Sequence, residues 1–381
     1  MGVSARTPVE VWKDLNKPTN VARALPGGWY TDADYAHLES IRLFARSWVC
    51  AGFAHELKAI GDVVPVQVAD YPVLLLRSED GISAFHNICP HRGFKLVDSP
   101  QNGKGIIRCP YHHWAFDTMG RLRSTPHWGG YKQHQLPHFD PDCHGLKPIR
   151  CAQWHDWVFV NIDGSALPLD EYMHPFVNHL AEYDLSLVRH HRTVPFEIKG
   201  NWKIVEENFL EVLHLPPVHV RLSEYAPFHE HVIVSDAHCV GTVIDTGLPS
   251  AWASEPLPRF PGVPRSSQTA KNLALFPNLK IIVGPDHCCS MVELPSNVNL
   301  TKQRWDFYFV GETSLEDRYH EARDGIIDFF VETNEEDAFA VEGLHLGRLS
   351  PNYDGGVLSE VWEGGVHHFQ KLVAQYMANQ T

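Results

Sequence analysis

Residues 89–114 read CPHRGFKLVDSPQNGKGIIRCPYHHW. Cys89-x-His91 is followed by seventeen residues and then by Cys109-x-x-His112, so two short thiolate-plus-imidazole claws face each other across a loop. Two Cys and two His suit either a tetrahedral zinc or a [2Fe–2S] cluster in which two histidines replace two cysteines on one iron. Zinc fingers usually pair the cysteines in one claw and the histidines in the other. Here each claw mixes the two, as a cluster needs when one iron takes both sulfurs and the other both nitrogens. A visible absorption spectrum separates this reading from zinc.

With the residues around them, the claws resemble the Rieske [2Fe–2S] proteins. Pro90, Arg92 and Gly93 follow the first claw, and Pro110, Tyr111 and Trp114 surround the second. The resemblance implies tight loops, a cover against water, and Cys89, His91, Cys109 and His112 as cluster ligands. His113 departs from the Gly or Ala commoner at its position and is read as a neighbour of the cluster.

The chain of 381 residues is long enough for two domains with sizeable cores. A formal charge of −14 disfavours a nucleic-acid partner, which requires clustered Lys and Arg, and mildly favours cationic small molecules. The first residues have no signal-peptide apolar core, and no apolar run reaches the length of a membrane span, so a soluble, cytoplasmic protein without a membrane partner is expected. Eight cysteines in a chain this long are not a disulfide framework. Those outside the claws, Cys288 and Cys289 included, read as core thiols.

The expected class is α+β. Residues 1–39 read as a polar arm and an amphipathic helix, with Tyr35, Leu38, Ile41, Leu43 and Phe44 at helical spacing. Residues 40–165 break into short β-rich runs with Gly, Pro, Asn and Asp between them, an all-β domain with the claws on two hairpin loops. Residues 166–381 form the second domain, an antiparallel sheet flanked by helices. Within it NWKIVEENFLEVLHL reads as one helix that Pro216 and Pro217 terminate, and Ser314–Arg348 as a long helix.

The chemistry is expected in NFLEVLHLPPVH, residues 208–219. Glu211 and His214 lie three apart on one helix face, and the proline break lets His219 fold back toward them. Two imidazoles and one carboxylate make the facial triad of mononuclear non-haem iron. For the third ligand, residues 332–347 offer Glu335, Glu336, Asp337 and Glu342. Phe330, Thr333, Asp337, Val341 and Leu344 share one helical stripe, so Asp337 is expected to face the core and the three glutamates to point away.

Over residues 28–375 the chain resembles the catalytic α-subunit of a Rieske non-haem iron oxygenase, whose second domain is helix-grip-like. The matching residues are the cluster motif, Asn201–Trp202–Lys203 leading to Glu207 and Asn208, the set Glu211, His214 and His219, and Asp337 followed by Glu342 and Gly347. The resemblance implies catalytic roles for Asn208 and Glu211. It also implies a homotrimer in which Glu211 bridges His112 of one subunit to His214 of the next. The shorter Asn208–Glu211 spacer, with Glu in place of the Asp of aromatic-ring dioxygenases, resembles the branch that oxidises quaternary ammonium compounds such as choline, carnitine and glycine betaine. No dinucleotide-binding G-x-G-x-x-G and no second Cys-rich cluster occur, so a separate NAD(P)H reductase, with or without a ferredoxin, is the implied electron source. The alternatives are an aromatic-ring or aryl side-chain hydroxylase and, from another class, an electron-transfer Rieske protein with a degenerate second site. For a quaternary amine an aromatic cage is expected, with Phe276, Trp305, Phe307, Phe309 and Trp252 as its candidates.

Overall fold

The computed structural model describes residues 6–245, 255–264 and 266–379. The chain divides into two compact units, one of residues Phe44–Leu169 and one that combines the residues up to Leu43 with those from Asp170 onward.

The first unit is all β. Strands β1 (Val49–Phe53), β2 (Val63–Val68), β3 (Tyr71–Ser78), β4 (Gly81–His86), β5 (Ile106–Arg108), β6 (Ala115–Asp117), β7 (Leu122–Ser124), β8 (Pro148–Trp154) and β9 (Trp157–Asn161) form two antiparallel sheets, ordered β1-β9-β8-β4-β3-β2 and β5-β6-β7. Buried Leu74, Leu76, Phe85, Trp114 and Phe116 fill the space beneath the claws. The first claw follows β4 and the second is the turn between β5 and β6.

The second unit is a seven-stranded antiparallel sheet covered by helices. The strands are β10 (Val188–Ile198), β11 (Val232–Asp236), β12 (Cys239–Ile244), β13 (Ala270–Leu275), β14 (Leu279–Val283), β15 (His287–Asn297) and β16 (Leu300–Val310), in the order β10-β16-β15-β14-β13-β12-β11. The helices are α1 (Pro8–Leu15), α2 (Gly28–Thr31), α3 (Ala33–Glu39), α4 (Leu169–His179), α5 (Trp202–Phe209), α6 (Leu215–Val218), α7 (Val220–Tyr225), α8 (His320–Arg348) and α9 (Gly364–Met377). Strand alternation sends Met291, Trp305, Phe307 and Phe309 to one sheet face, where Ile326, Ile327, Phe329 and Phe330 of α8 pack on them. Among the described residues no helix is long and apolar enough to cross a membrane.

The segment up to residue 39, read as an arm and helix of its own, packs into this second unit: the Leu25 amide donates to Gln370 Oε1 (3.1 Å) and the Ala24 amide to the Gly356 carbonyl (3.0 Å). The helix expected across 201–215 is two helices. α5 stops at Phe209, and Pro216 and Pro217 lie inside the first turn of α6 instead of ending a helix. A first turn has no intrahelical use for the amide that proline lacks, so the pair starts a helix as readily as it stops one.

α5 is the anchor of the site. Asn201 caps it, its Oδ1 accepting the Lys203 amide at 3.1 Å. Three charged residues on α5 are buried and each is paired. Lys203 Nζ meets Glu39 Oε1 at 2.5 Å, and Trp202 Nε1 donates to the other Glu39 oxygen at 2.9 Å. Glu207 accepts from Tyr30 (2.5 Å) and Gln370 (2.9 Å) and is ion-paired with Arg348 at 2.9 Å. Glu206 lies 3.7 Å from Lys280 Nζ. Removing one partner of such a pair strands a buried charge at a cost of about 3–5 kcal/mol, so the helix that delivers Asn208 to His219 is fixed in place by α2, α3, α8 and α9.

Candidate metal centres

Each claw is the same small loop. The Cys89 amide donates to the Phe94 carbonyl (2.8 Å) and the Gly93 amide to the Cys89 carbonyl (2.9 Å); the Cys109 amide donates to Trp114 (2.8 Å) and the His113 amide to Cys109 (3.0 Å). The residue four beyond each cysteine is left-handed, Gly93 at φ +71° and His113 at φ +59°. That explains why His113 looked out of place: the position favours glycine, and a non-glycine residue there carries strain on the order of 1 kcal/mol.

The claws bring the four predicted ligands together. Cys89 and Cys109 are buried, and the rings of His91 and His112 are 4.6 Å apart. Trp114 stacks on His91 at 4.8 Å and Tyr111 lies 3.8 Å from His112, a cover over the imidazoles. The Nδ1 atoms of His91 and His112 are buried with no hydrogen-bond partner. Burial raises the Cys89 thiol above its ordinary pKa, with Cys109 beside it adding to the rise. Two orphaned imidazole nitrogens beside two buried cysteines are satisfied together by a metal that takes all four, and the residues fit a [2Fe–2S] cluster.

The second centre is assembled on α5–α8. His214, His219 and Asp337 each offer a ligand atom, all within 4.8 Å of one another. His219 Nε2 is 2.8 Å and His214 Nε2 3.5 Å from Asp337 Oδ1, and the rings stand nearly perpendicular, 5.0 Å apart. The opposite nitrogens are held by carboxylates. His214 Nδ1 donates to Glu211 Oε1 at 2.6 Å and His219 Nδ1 to Glu336 Oε2 at 2.7 Å, which fixes both rings as the tautomer with an Nε2 lone pair turned to the shared point. Glu211 also ties the turn after α5, its Oε2 accepting the amides of Leu213 and His214. Burial opposes protonation of His219, but the Asp337 and Glu336 carboxylates outweigh it and raise its pKa. Three carboxylates around two imidazoles call for a cation, and this donor set fits a mononuclear iron with open positions.

Glu336 corrects the helical reading of residues 332–347, which turned it away from the site. α8 passes His219 so that consecutive acids reach opposite edges of one ring, Asp337 to Nε2 and Glu336 to Nδ1. Leu344, placed on the buried stripe, is 46% exposed, and buried His345 takes that side of the helix.

The triad opens into a cavity whose wall includes Asn208, Phe209, Trp305, Phe329 and Phe330. Trp305 is the one cage candidate that lines it. Phe276 packs against Phe369 and Tyr376, Phe307 and Phe309 lie in the sheet core, and Trp252 falls outside the described residues. The aromatics on α5 and α8 were missed because their helical phase reads equally well as core.

An all-β unit with paired Cys/His claws and a second unit with a His–His–Asp triad define a two-centre iron redox protein. Residues 47–172 match the Rieske [2Fe–2S] domain, and residues 185–379 match the catalytic domain of the ring-hydroxylating α-subunit. The chain belongs to the ring-hydroxylating oxygenase α-subunit family, and it is the oxygenase component of a Rieske system served by a reductase. It is 27% identical over 369 residues to the carnitine monooxygenase oxygenase subunit of Escherichia coli (strain K12), covering 93% of this chain and 94% of that one. It is 26% identical to the chloroplastic choline monooxygenase of Atriplex hortensis, over 94% and 79% of the two chains. Among solved structures, the quaternary ammonium Rieske monooxygenase CntA superposes with a TM-score of 0.80 at 22% identity, covering 99% of both chains, a likeness of fold.

Proposed function

We propose that this chain is the terminal oxygenase of a quaternary ammonium monooxygenase, with Cys89, His91, Cys109 and His112 holding its [2Fe–2S] cluster and His214, His219 and Asp337 its mononuclear iron. When bound, the iron supplies O2 activation and the cluster the electrons for it, drawn from a separate NAD(P)H reductase. The reading is carried by one observation: the cavity at the triad has aromatic walls and no unpaired Lys or Arg among its described lining residues. Trp305 and Phe330 lie 6.1 Å apart, centroid to centroid, and Phe329 and Phe330 5.8 Å. Their faces suit a desolvated ammonium, worth about 2 kcal/mol per contact. The one Lys or Arg lining the cavity among the described residues, Lys280, is neutralised by Glu293 at 2.7 Å. The relatives named for carnitine and choline support the same substrate class.

In this reading Glu211 and Glu336 keep the two imidazoles oriented, and the apolar wall excludes water from the reacting carbon. One oxygen atom of O2 enters a C–H bond beside nitrogen; the other leaves as water, with two electrons from the reductase and two protons. The C–N bond of the hydroxylated product then breaks, the electron pair stays on nitrogen, and a carbonyl product and a proton leave. Asn208 lines the cavity beside the ligands and orients the substrate. A head-to-tail homotrimer belongs to the same proposal, with Glu211 accepting from His214 on one side and from the partner subunit's His112 on the other. Inter-subunit electron transfer has been described for the quaternary ammonium Rieske monooxygenase of the gut microbiota that oxidises carnitine.

The test is O2 uptake by the iron-loaded protein with an NADH-driven reductase, offered quaternary amines beside aromatic acids. Uptake coupled to amine and aldehyde release is the expected result. Coupled uptake with aromatic acids alone replaces this reading with ring or side-chain hydroxylation.

A further inference from the structure

The cavity has two unlike ends. At the β16 end, buried Gln303 gives its amide N–H to Glu293 (2.9 Å) and keeps its carbonyl oxygen unpartnered. Behind it Glu293 and Glu206 hold Lys280 between them, at 2.7 and 3.7 Å. A lone carbonyl acceptor beside Trp305 suits a positive head group and repels an anionic one. At the β11–β13 end the polar groups are uncharged. Asn272 Nδ2 donates to Thr242 Oγ1 (3.4 Å), and Thr242 Oγ1 lies 3.2 Å from His231 Nδ1. An amide nitrogen can only donate, so the hydroxyl accepts from Asn272 and also bonds His231 Nδ1, a trio that hydrogen-bonds without carrying a charge. His231 Nε2 is buried without a hydrogen-bond partner. Burial holds the His231 pKa below the ordinary value, against the pull of the Ala226 carbonyl and Glu230, which favours a neutral ring.

From these two ends, and resting on the quaternary ammonium reading above, the geometry points to a narrower substrate class: an elongated monocation whose far end carries an uncharged hydrogen-bonding group such as a hydroxyl, received by His231, Thr242 and Asn272. A carboxylated, zwitterionic amine fits less well. Its anionic end would be buried with no free Lys or Arg among the described residues that line the cavity, since Lys280 is already paired with Glu293, and an uncompensated buried carboxylate is costly. The length follows from the sheet. Trp305 on β16 and Thr242 on β12 are four strands apart, about 19 Å between backbones at ~4.8 Å per strand, less what the side chains fill from both sides.

The experiment is anaerobic calorimetry on the holoenzyme with hydroxyalkyl-, alkyl- and carboxyalkyl-trimethylammonium ions of matched and graded chain length. The hydroxyalkyl ion should bind about tenfold tighter than its alkyl counterpart, with the carboxyalkyl ion no better than the alkyl one. His231→Phe should bring the hydroxyl preference down to about twofold or less. Thr242→Val, which keeps the volume and removes the hydroxyl, should do the same and serves if the first variant fails to fold. Tighter binding of the carboxyalkyl ion, or a hydroxyl preference that survives both variants, overturns the inference and leaves the quaternary ammonium reading intact. Binding of none of the three, with binding of a neutral aromatic compound, sinks that reading itself.

Discussion

The cluster claws and the His–His–Asp triad both collect histidines around a metal position, but they leave the imidazole nitrogens in different states before any metal binds. In the claws Cys89, His91, Cys109 and His112 come from one short stretch, and both Nδ1 atoms are buried with nothing to bond to. In the triad the ligands come from α5–α7 and from α8, and each Nδ1 already has a carboxylate, Glu211 at 2.6 Å and Glu336 at 2.7 Å. The claws therefore depend on their metal for a satisfied interior, since each orphaned group costs on the order of 1–3 kcal/mol. The triad is held by the protein before any metal arrives. Metal binding contributes to folding in the first unit and to chemistry in the second.

Removing one ligand from each centre is the sharpest way to break that contrast. Cys109→Ala should remove both cluster irons, abolish the visible spectrum, and lower the melting temperature of the first unit by several degrees, as expected for a few kcal/mol. Asp337→Ala should take total iron from three to two per chain and abolish turnover while the cluster spectrum and the melting temperature stay near wild type. Equal destabilisation by the two variants, read by calorimetry, would remove the distinction.

Glu211→Gln tests the link between the centres. Its amide oxygen can still accept from His214 Nδ1, so all three irons and both spectra should persist. Substrate-dependent turnover should fall by about a hundredfold, the upper range for changes next to a metal ligand. Unchanged turnover would show that electrons reach the triad by another route.

The two regions were also unequally legible. The claws could be read because ligands, turns and cover lie in one stretch, and even the oddity at His113 has a backbone cause in its positive φ. That His214, His219 and Asp337 meet at one point was legible, Asp337 from its helical phase, although Glu211 and His214 lie in the turn after α5 and not on a shared helix face. The scaffold beneath them was not, because the partners of α5 lie far away in sequence: Glu39 for Lys203, Tyr30 and Arg348 for Glu207, Lys280 for Glu206. A lysine and two glutamates on consecutive turns read as a solvated face until the strands and helices that neutralise them are in place. Pro216 and Pro217 misled for a local reason: proline is as compatible with a first helical turn as with a last one. The cavity aromatics of α8 were hidden because helical periodicity says which face is buried, not whether the buried face meets core or cavity.

Glu336 is where periodicity failed at the site itself, and it yields the last test. Neighbouring helical residues point about 100° apart, so one stripe cannot hold both acids, and the stripe reading kept Asp337 and discarded Glu336. An imidazole wedged against the helix is touched on both edges, by Asp337 at Nε2 and Glu336 at Nδ1. Glu336→Ala should therefore weaken iron binding about tenfold to a hundredfold, measured by equilibrium dialysis, with the cluster spectrum unchanged and the iron site still filled at saturating metal. Glu336→Gln should recover part of the loss, because its amide oxygen still accepts from Nδ1. If Glu336→Ala binds iron as wild type does, the 2.7 Å contact is incidental and the triad's pre-formed geometry rests on Glu211 alone. If it loses iron as completely as Asp337→Ala, Glu336 is itself a ligand and the division of labour on α8 must be reversed.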